Sequence, residues 1–229
     1  MMDFDVITVG TVAEALDALA KYGEDAKVIA GGQSLLNILK QGLMAPAVLV
    51  DIRRVEEIGG LRLDGGLRIG AAATHRALEL SADALRMHPV LCETERRLAY
   101  VQTRAWGTVG GNLCIADPTS DLAPCFFALD AAAAIAGPEG ERKVPIAEFF
   151  VDYYQTVLGP GDLLTEVEVP APPPRSGAAY EKFRNVEGDA PIVGVAVRID
   201  LDEGGGRCAG ARVALGGVAP VPWRAALAE

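Results

Sequence analysis

Two glycine turns, Ala30-Gly31-Gly32-Gln33-Ser34 and Trp106-Gly107-Thr108-Val109-Gly110-Gly111-Asn112, constrain this chain more than any other feature. The first lies between an apolar run and an amphipathic one, and the second leads into a helix start. Glycine opens backbone conformations closed to other residues and lets main-chain N–H groups approach a ligand. Such a turn suits an anionic group. Two of them, far apart in sequence, can close on one ligand.

The first turn belongs to a pattern of alternating strands and helices. Residues 4–8 read as a strand, and Thr11 with Glu14 forms a capping box that opens a helix to Tyr22, with Val12, Leu16 and Leu19 on one apolar stripe. Residues 27–30 are a second strand, 35–40 a short helix ended by Gly42, and 47–52 a third strand. This predicts a small parallel or mixed α/β unit. Its Gly31-Gly32 turn stands at the carboxyl end of a strand and the amino end of a helix, where phosphates bind.

From Leu61 the pattern changes to a hairpin over 61–70 whose Gly65 and Gly66 supply positive φ, and a new subdomain begins. Helices follow at 74–80, 82–87 and 91–99, after which Val101 leads into the second glycine turn and Ser120 caps the next helix. Weaker strands at 131–136 and 142–145, a short helix at 146–150 and a strand at 164–169 complete this part. Pro170-Ala171-Pro172-Pro173-Pro174 is a linker, because a proline run can join neither a helix nor a central strand. Beyond it, antiparallel strands are predicted at 178–183, 192–201 and 207–219, with 202–206 turning between the last two. An antiparallel sheet buries one face against another layer, and nothing after Trp223 supplies one. The second domain is therefore read as incomplete, or as covered by another part of the molecule or by a partner. The expected division is 1–170, with subdomains of about 1–57 and 58–170, followed by 176–229.

Neither turn is a familiar nucleotide motif. The first lacks the P-loop lysine, and no GxGxxG follows the first strand. Backbone N–H groups from both turns can still bind a pyrophosphate without any cationic side chain. Asp117 and Asp121 follow Asn112 closely. A carboxylate there either accepts hydrogen bonds from ribose hydroxyls or serves local structure, Asp121 as a favourable charge in the first turn of its helix and Asp117 in turn chemistry beside Pro118. His75 and His88 have no acid or nucleophile at motif spacing and read as structural. A formal charge of −10 argues against a nucleic-acid partner. No run approaches the ~18–20 apolar residues of a membrane span, and no secretory pattern opens the chain, so a cytoplasmic protein is expected. Four scattered cysteines and two histidines make no metal or cluster motif, and no residue stands out as catalytic.

Ala30-Gly31-Gly32-Gln33-Ser34-Leu35-Leu36, then Thr108-Val109-Gly110-Gly111-Asn112-Leu113 and Ala116-Asp117-Pro118, resembles the FAD-binding medium subunits of molybdenum hydroxylases, the flavoproteins of the carbon monoxide dehydrogenase and xanthine dehydrogenase family. The Pro-Ala-Pro-Pro-Pro junction and Tyr180-Glu181-Lys182-Phe183 extend the match over nearly the whole chain. The resemblance implies an α+β fold: a two-part FAD-binding domain of the vanillyl-alcohol-oxidase-like (PCMH) type and a small antiparallel sheet domain, which looks truncated. It also implies both glycine loops on the pyrophosphate, Thr108 and Asn112 near the phosphates, Asp121 on the ribose side, and Tyr180 and Lys182 near the isoalloxazine. Such subunits work beside a small subunit with two [2Fe–2S] clusters and a large molybdopterin subunit, as a dimer of heterotrimers. Electrons from the substrate cross the clusters to FAD and leave for an outside acceptor.

Two departures stand out. Asn185 occupies a position where family members commonly carry arginine, with Arg184 adjacent, and relatives continue past the segment matched by Val221-Pro222-Trp223-Arg224. With no cysteine-bearing insertion, FAD is the single cofactor expected. The competing reading is a stand-alone FAD oxidoreductase of the same fold, such as an enolpyruvyl-sugar reductase, which would need an acid of its own near the flavin. A non-enzymatic scaffold piece that holds flavin weakly is the third.

Overall fold

The computed structural model describes residues 3–229. The first two residues of the expected first domain lie outside the described residues. Strand β1 (Asp5–Thr8), helix α1 (Val12–Tyr22), β2 (Ala26–Ile29), α2 (Leu35–Lys40) and β3 (Val48–Asp51) make a parallel sheet in the order β1-β3-β2 with its two helices. Thr11 Oγ1 accepts from the Glu14 N–H at 3.1 Å, and Glu14 Oε2 reaches back to the N–H of Gly10 at 2.6 Å. The capping box therefore forms with its return contact one residue early. Ala15, Ala18 and Leu19 are the buried face of α1, with Val12 and Leu16 at its edge. Helix α2 stops in a Schellman motif: Leu43 N–H donates to Ile38 O, Gly42 N–H to Leu39 O, and Gly42 takes φ 72°.

The next part comprises β4 (Leu61–Leu63), β5 (Gly66–Gly70), α3 (His75–Leu80), α4 (Ala82–Met87), α5 (Pro89–Arg97), α6 (Val101–Trp106), α7 (Val109–Ile115), α8 (Leu122–Ala128), β6 (Ala132–Gly137), β7 (Gly140–Pro145), α9 (Ile146–Phe149), β8 (Phe150–Asp152), β9 (Gln155–Thr156) and β10 (Leu163–Pro170). Its antiparallel sheet runs β4-β5-β10-β6-β7, and β10 is central. Leu67, Ile69, Ala133, Ile135, Val167 and Val169 turn from this sheet into a core shared with Leu91, Leu113 and Phe126 of the helices. In the β4–β5 hairpin only Gly65 has positive φ, at 64°. Gly66 is needed for another reason: a side chain there would run into the carbonyl oxygen of Val169 on β10. Helix α6 and the small β8–β9 pair were not anticipated.

After the proline run, β11 (Ser176–Phe183), β12 (Val193–Leu201), β13 (Cys208–Gly216) and β14 (Trp223–Arg224) form an antiparallel sheet in sequential order. Tyr180, Ala196 and Ala214 stand side by side across three of its strands and join the same core as Phe126. Helix α8 packs on β12 and β13, and α5 packs on β11. The missing cover is thus supplied by another part of the molecule, for one face of the sheet.

Candidate functional site

A cavity of about 930 Å³ opens where the α/β unit meets the antiparallel part. Ala30, Gly31, Gly32, Gln33, Ser34 and Leu35 line it from the first glycine turn. Thr108, Gly110, Gly111, Asn112, Asp117 and Asp121 line it from the second turn and the loop after it. One site therefore collects all the predicted residues except Tyr180 and Lys182.

The two turns present different chemistry to the cavity. Among the described residues, the main-chain N–H groups of residues 31–35 donate to no acceptor within the chain. Gly32 has φ 70°, a conformation that favours glycine, and Ser34 is right-handed. The Ser34 hydroxyl makes no capping bond. At Gly31, a Cβ would fall on the Trp106 carbonyl oxygen and 2.6 Å from the Gly107 Cα. That glycine lets the two turns touch.

In the second turn the N–H groups of residues 109–112 are already engaged. Val109 donates to Ala73 O and Gly110 to Ala71 O, each at 2.9 Å, while Gly111 donates to Thr108 Oγ1 at 3.1 Å and Asn112 to Thr108 O at 2.9 Å. Thr108 is the N-cap of α7, so Gly110 and Gly111 lie inside the helix's first turn. Gly110 is glycine because Ala71 is so close: its carbonyl oxygen would be 2.6 Å from a Cβ. The expectation that both turns offer backbone donors narrows, in the second turn, to the Thr108 N–H, which has no acceptor among the described residues. The second turn also offers side chains, namely the Thr108 hydroxyl and the Asn112 amide, whose Oδ1 is fixed by Ser120 Oγ at 2.6 Å.

Asp117 Oδ1 accepts from the Thr119 N–H at 2.8 Å and the Thr119 hydroxyl at 2.7 Å, which is the turn chemistry anticipated beside Pro118. Asp121 accepts from the Tyr180 hydroxyl at 2.7 Å and from Lys182 Nζ at 2.9 Å. Burial pushes its carboxyl up, and the Lys182 charge and the Tyr180 hydroxyl pull it down. Tyr180 and Lys182 lie behind Asp121 and outside the cavity lining. They hold a wall residue, and both oxygens of the Asp121 carboxylate carry protein donors.

His75 was read as structural for want of an acid, and it has one. Glu95, twenty positions on in sequence and carried by α5, places Oε1 2.9 Å from His75 Nδ1, and the imidazole lines the cavity. The His88 ring hydrogen-bonds to the Pro170 carbonyl oxygen through Nε2 at 2.9 Å.

Compared with known proteins, residues 2–172 match the family described as the FAD binding domain in molybdopterin dehydrogenase, and residues 178–229 match the CO dehydrogenase flavoprotein C-terminal domain. The chain belongs to this flavoprotein family.

Among members of the family, it is 40% identical over 93% of its length to the 6-hydroxypseudooxynicotine dehydrogenase complex subunit alpha of Paenarthrobacter nicotinovorans, covering 73% of that protein. It is 38% identical over 96% of its length to the carbon monoxide dehydrogenase medium chain of Afipia carboxidovorans, covering 76% of it. The solved structure of reconstituted CO dehydrogenase from Oligotropha carboxidovorans superposes with TM-score 0.94 at 36% identity, over 99% of this chain and 79% of that one.

The family's cofactor is FAD, and the cavity fits it: a run of free N–H groups suits phosphate oxygens, and the volume lies in the range of a cofactor site. Cys114 reaches the cavity wall as an exposed, free thiol. Among the described residues, no three His, Cys, Asp or Glu side chains gather as a metal site, and no helix is long and apolar enough to cross a membrane.

Proposed function

We propose that this chain is the electron-transferring FAD subunit of a molybdenum hydroxylase, with residues 1–170 as its flavin-binding domain and 176–229 as its sheet domain. Bound FAD supplies the redox chemistry, between the [2Fe–2S] clusters of a small partner subunit, fed by a large molybdopterin subunit, and an external acceptor. The observation that carries this reading is the run of unpartnered N–H groups at residues 31–35, facing a cavity closed on its other side by Thr108 and Asn112. Gly31, Gly32, Gln33, Ser34 and Leu35 would hold the phosphates through the backbone, with the Ser34 and Thr108 hydroxyls and the Asn112 amide as further donors. Ala30 and Gly110 shape the wall, Gly111 leaves it open, and Asp117 and Asp121 give it acidic character. Tyr180 and Lys182 keep Asp121 in place. The names of the relatives, a complex subunit and a medium chain, support a chain that works in an assembly.

The test mixes the FAD-loaded chain with reduced two-cluster small subunit. Bleaching of the flavin only when that partner is present supports the reading. Bleaching by an organic substrate with this chain alone would favour a stand-alone oxidoreductase.

A further inference from the structure

The cavity wall carries several acids, Glu24, Asp117, Asp121, Asp162 and Asp189, against two side chains that can bear positive charge, Lys27 and His75. A pyrophosphate entering such a cavity meets a repulsive field unless donors stand close to it. Of those two groups, His75 is the one at the contact between the glycine turns. Its N–H donates to Gly107 O at 3.0 Å, and its neighbour Thr74 is bridged to Thr108. A Cβ built on Gly107 would lie 3.0 Å from His75 Cδ2 and 3.5 Å from Gln33 Cγ. The imidazole thus borders one turn directly and stands beside a residue of the other.

The two ring nitrogens are not equivalent. Nδ1 is held by Glu95 Oε1 at 2.9 Å. Nε2 has no hydrogen bond within the chain, yet it is not among the sealed, partnerless polar atoms, whereas Glu95 Oε2 is. With the ring in the cavity lining, Nε2 is the edge left for a ligand. Glu95 is fully buried, and burial pushes its carboxyl up, against the pull of His75. A Glu95 that holds its proton donates it to Nδ1. With Nδ1 accepting, the ring's own hydrogen stands on Nε2.

We propose that His75, oriented by Glu95, donates from Nε2 to the pyrophosphate at the junction of the two glycine turns. This rests on the FAD reading above. His75 is a binding residue, and Glu95 is a positioning residue that acts through it.

Two amides dissect the imidazole. His75→Asn keeps a group near Nδ1 for Glu95 and removes the cavity edge; His75→Gln places an amide nitrogen near Nε2 and gives up the Glu95 contact. FAD and ADP dissociation constants, and the melting temperature without ligand, are measured on the chain and on both variants. The expected result is a loss of about tenfold or more in FAD affinity for His75→Asn, matched by ADP, with the smaller loss of melting temperature. His75→Gln should bind FAD more tightly than His75→Asn while melting lower. The reverse order, with His75→Asn binding FAD as the unaltered chain does, overturns the inference and leaves the FAD reading standing. A loss confined to FAD and absent for ADP also overturns it, since the contact would then be to another part of the cofactor. Failure of the unaltered chain to bind FAD removes the FAD reading and the inference together. If His75→Asn does not fold, nitrogen-15 NMR of the unaltered chain with labelled histidine replaces it: a shift of the His75 Nε2 signal on ADP binding is expected, and an unmoved signal contradicts the proposal.

Discussion

Lys182 Nζ lies 2.9 Å from Asp121 Oδ2, with the Lys182 side chain 1% exposed and that of Asp121 6% exposed. This ion pair joins β11 of the last sheet to the residue that precedes α8, and the Tyr180 hydroxyl occupies the other carboxylate oxygen. The last sheet therefore fixes part of the cavity wall without lining it.

Lys182→Met leaves the Asp121 carboxylate buried without its cation and should cost about 3–5 kcal/mol, read by chemical denaturation. Adding Asp121→Asn should recover much of that loss, because the charge that lacked a partner is gone. Strictly additive losses would show that the two residues are not coupled.

The glycines separate by what replaces their missing side chain. Gly31→Ala drives a methyl into the Trp106 carbonyl, and Gly110→Ala drives one into Ala71, so both should lower the melting temperature of the flavin-free chain by the several degrees typical of overpacking. A Cβ on Gly111 meets only Thr108 Oγ1, at 2.8 Å, so Gly111→Ala should disturb that cap at a cost of about 1 kcal/mol while FAD affinity falls. Equal melting temperatures for all three variants would contradict the packing roles.

Acid should expose the Arg142–Asp162 pair, whose oxygens and guanidinium nitrogens meet at 2.6 and 2.9 Å. The Arg142 guanidinium holds the Asp162 carboxyl below its usual range. A carboxyl depressed on folding stabilises the fold above its unfolded value, near 3.9, and that contribution disappears as pH falls through the folded one. The melting-temperature gap between the chain and Asp162→Asn should be widest near neutrality and close below about pH 4. A gap constant from neutral to acid pH would rule out the charge as its source.

Hydrogen exchange should find the amides around Ala196 and Ala214 as slow as those of Val48 and Val50, since each set lies in a buried strand. Truncating Phe126 to alanine should speed exchange in β12 and β13 together. A last sheet that exchanges freely while the other sheets stay protected would show that α8 does not stabilise it.

Much of this fold is legible because its signals are local. Thr11 and Glu14 mark the start of α1, Gly42 marks the end of α2, and the proline run separates the last sheet. What escaped depends on contacts between elements. Residues 101–106 lack the length for a periodic signal, and β14 is two residues long. The cover of the last sheet is a tertiary fact, written in α8 and not after Trp223. At the site, sequence places both glycine turns but does not tell how they differ. Sequence treats the two glycine turns alike, whereas Ala71, Ala73 and Thr108 absorb the N–H groups of residues 109–112 and, among the described residues, nothing absorbs those of residues 31–35. The Glu95–His75 contact exists because α3 packs on α5, and no spacing rule finds it.

Titration of the flavin-free chain with FAD and with FMN is the most direct test. Both carry an isoalloxazine, and only FAD brings the second phosphate and the adenosine for which the free N–H groups of residues 31–35 and the facing Thr108 and Asn112 are suited. One FAD bound per chain, with FMN weaker by about tenfold or more, is the result expected. No flavin bound, or FMN bound as tightly as FAD, would contradict the account.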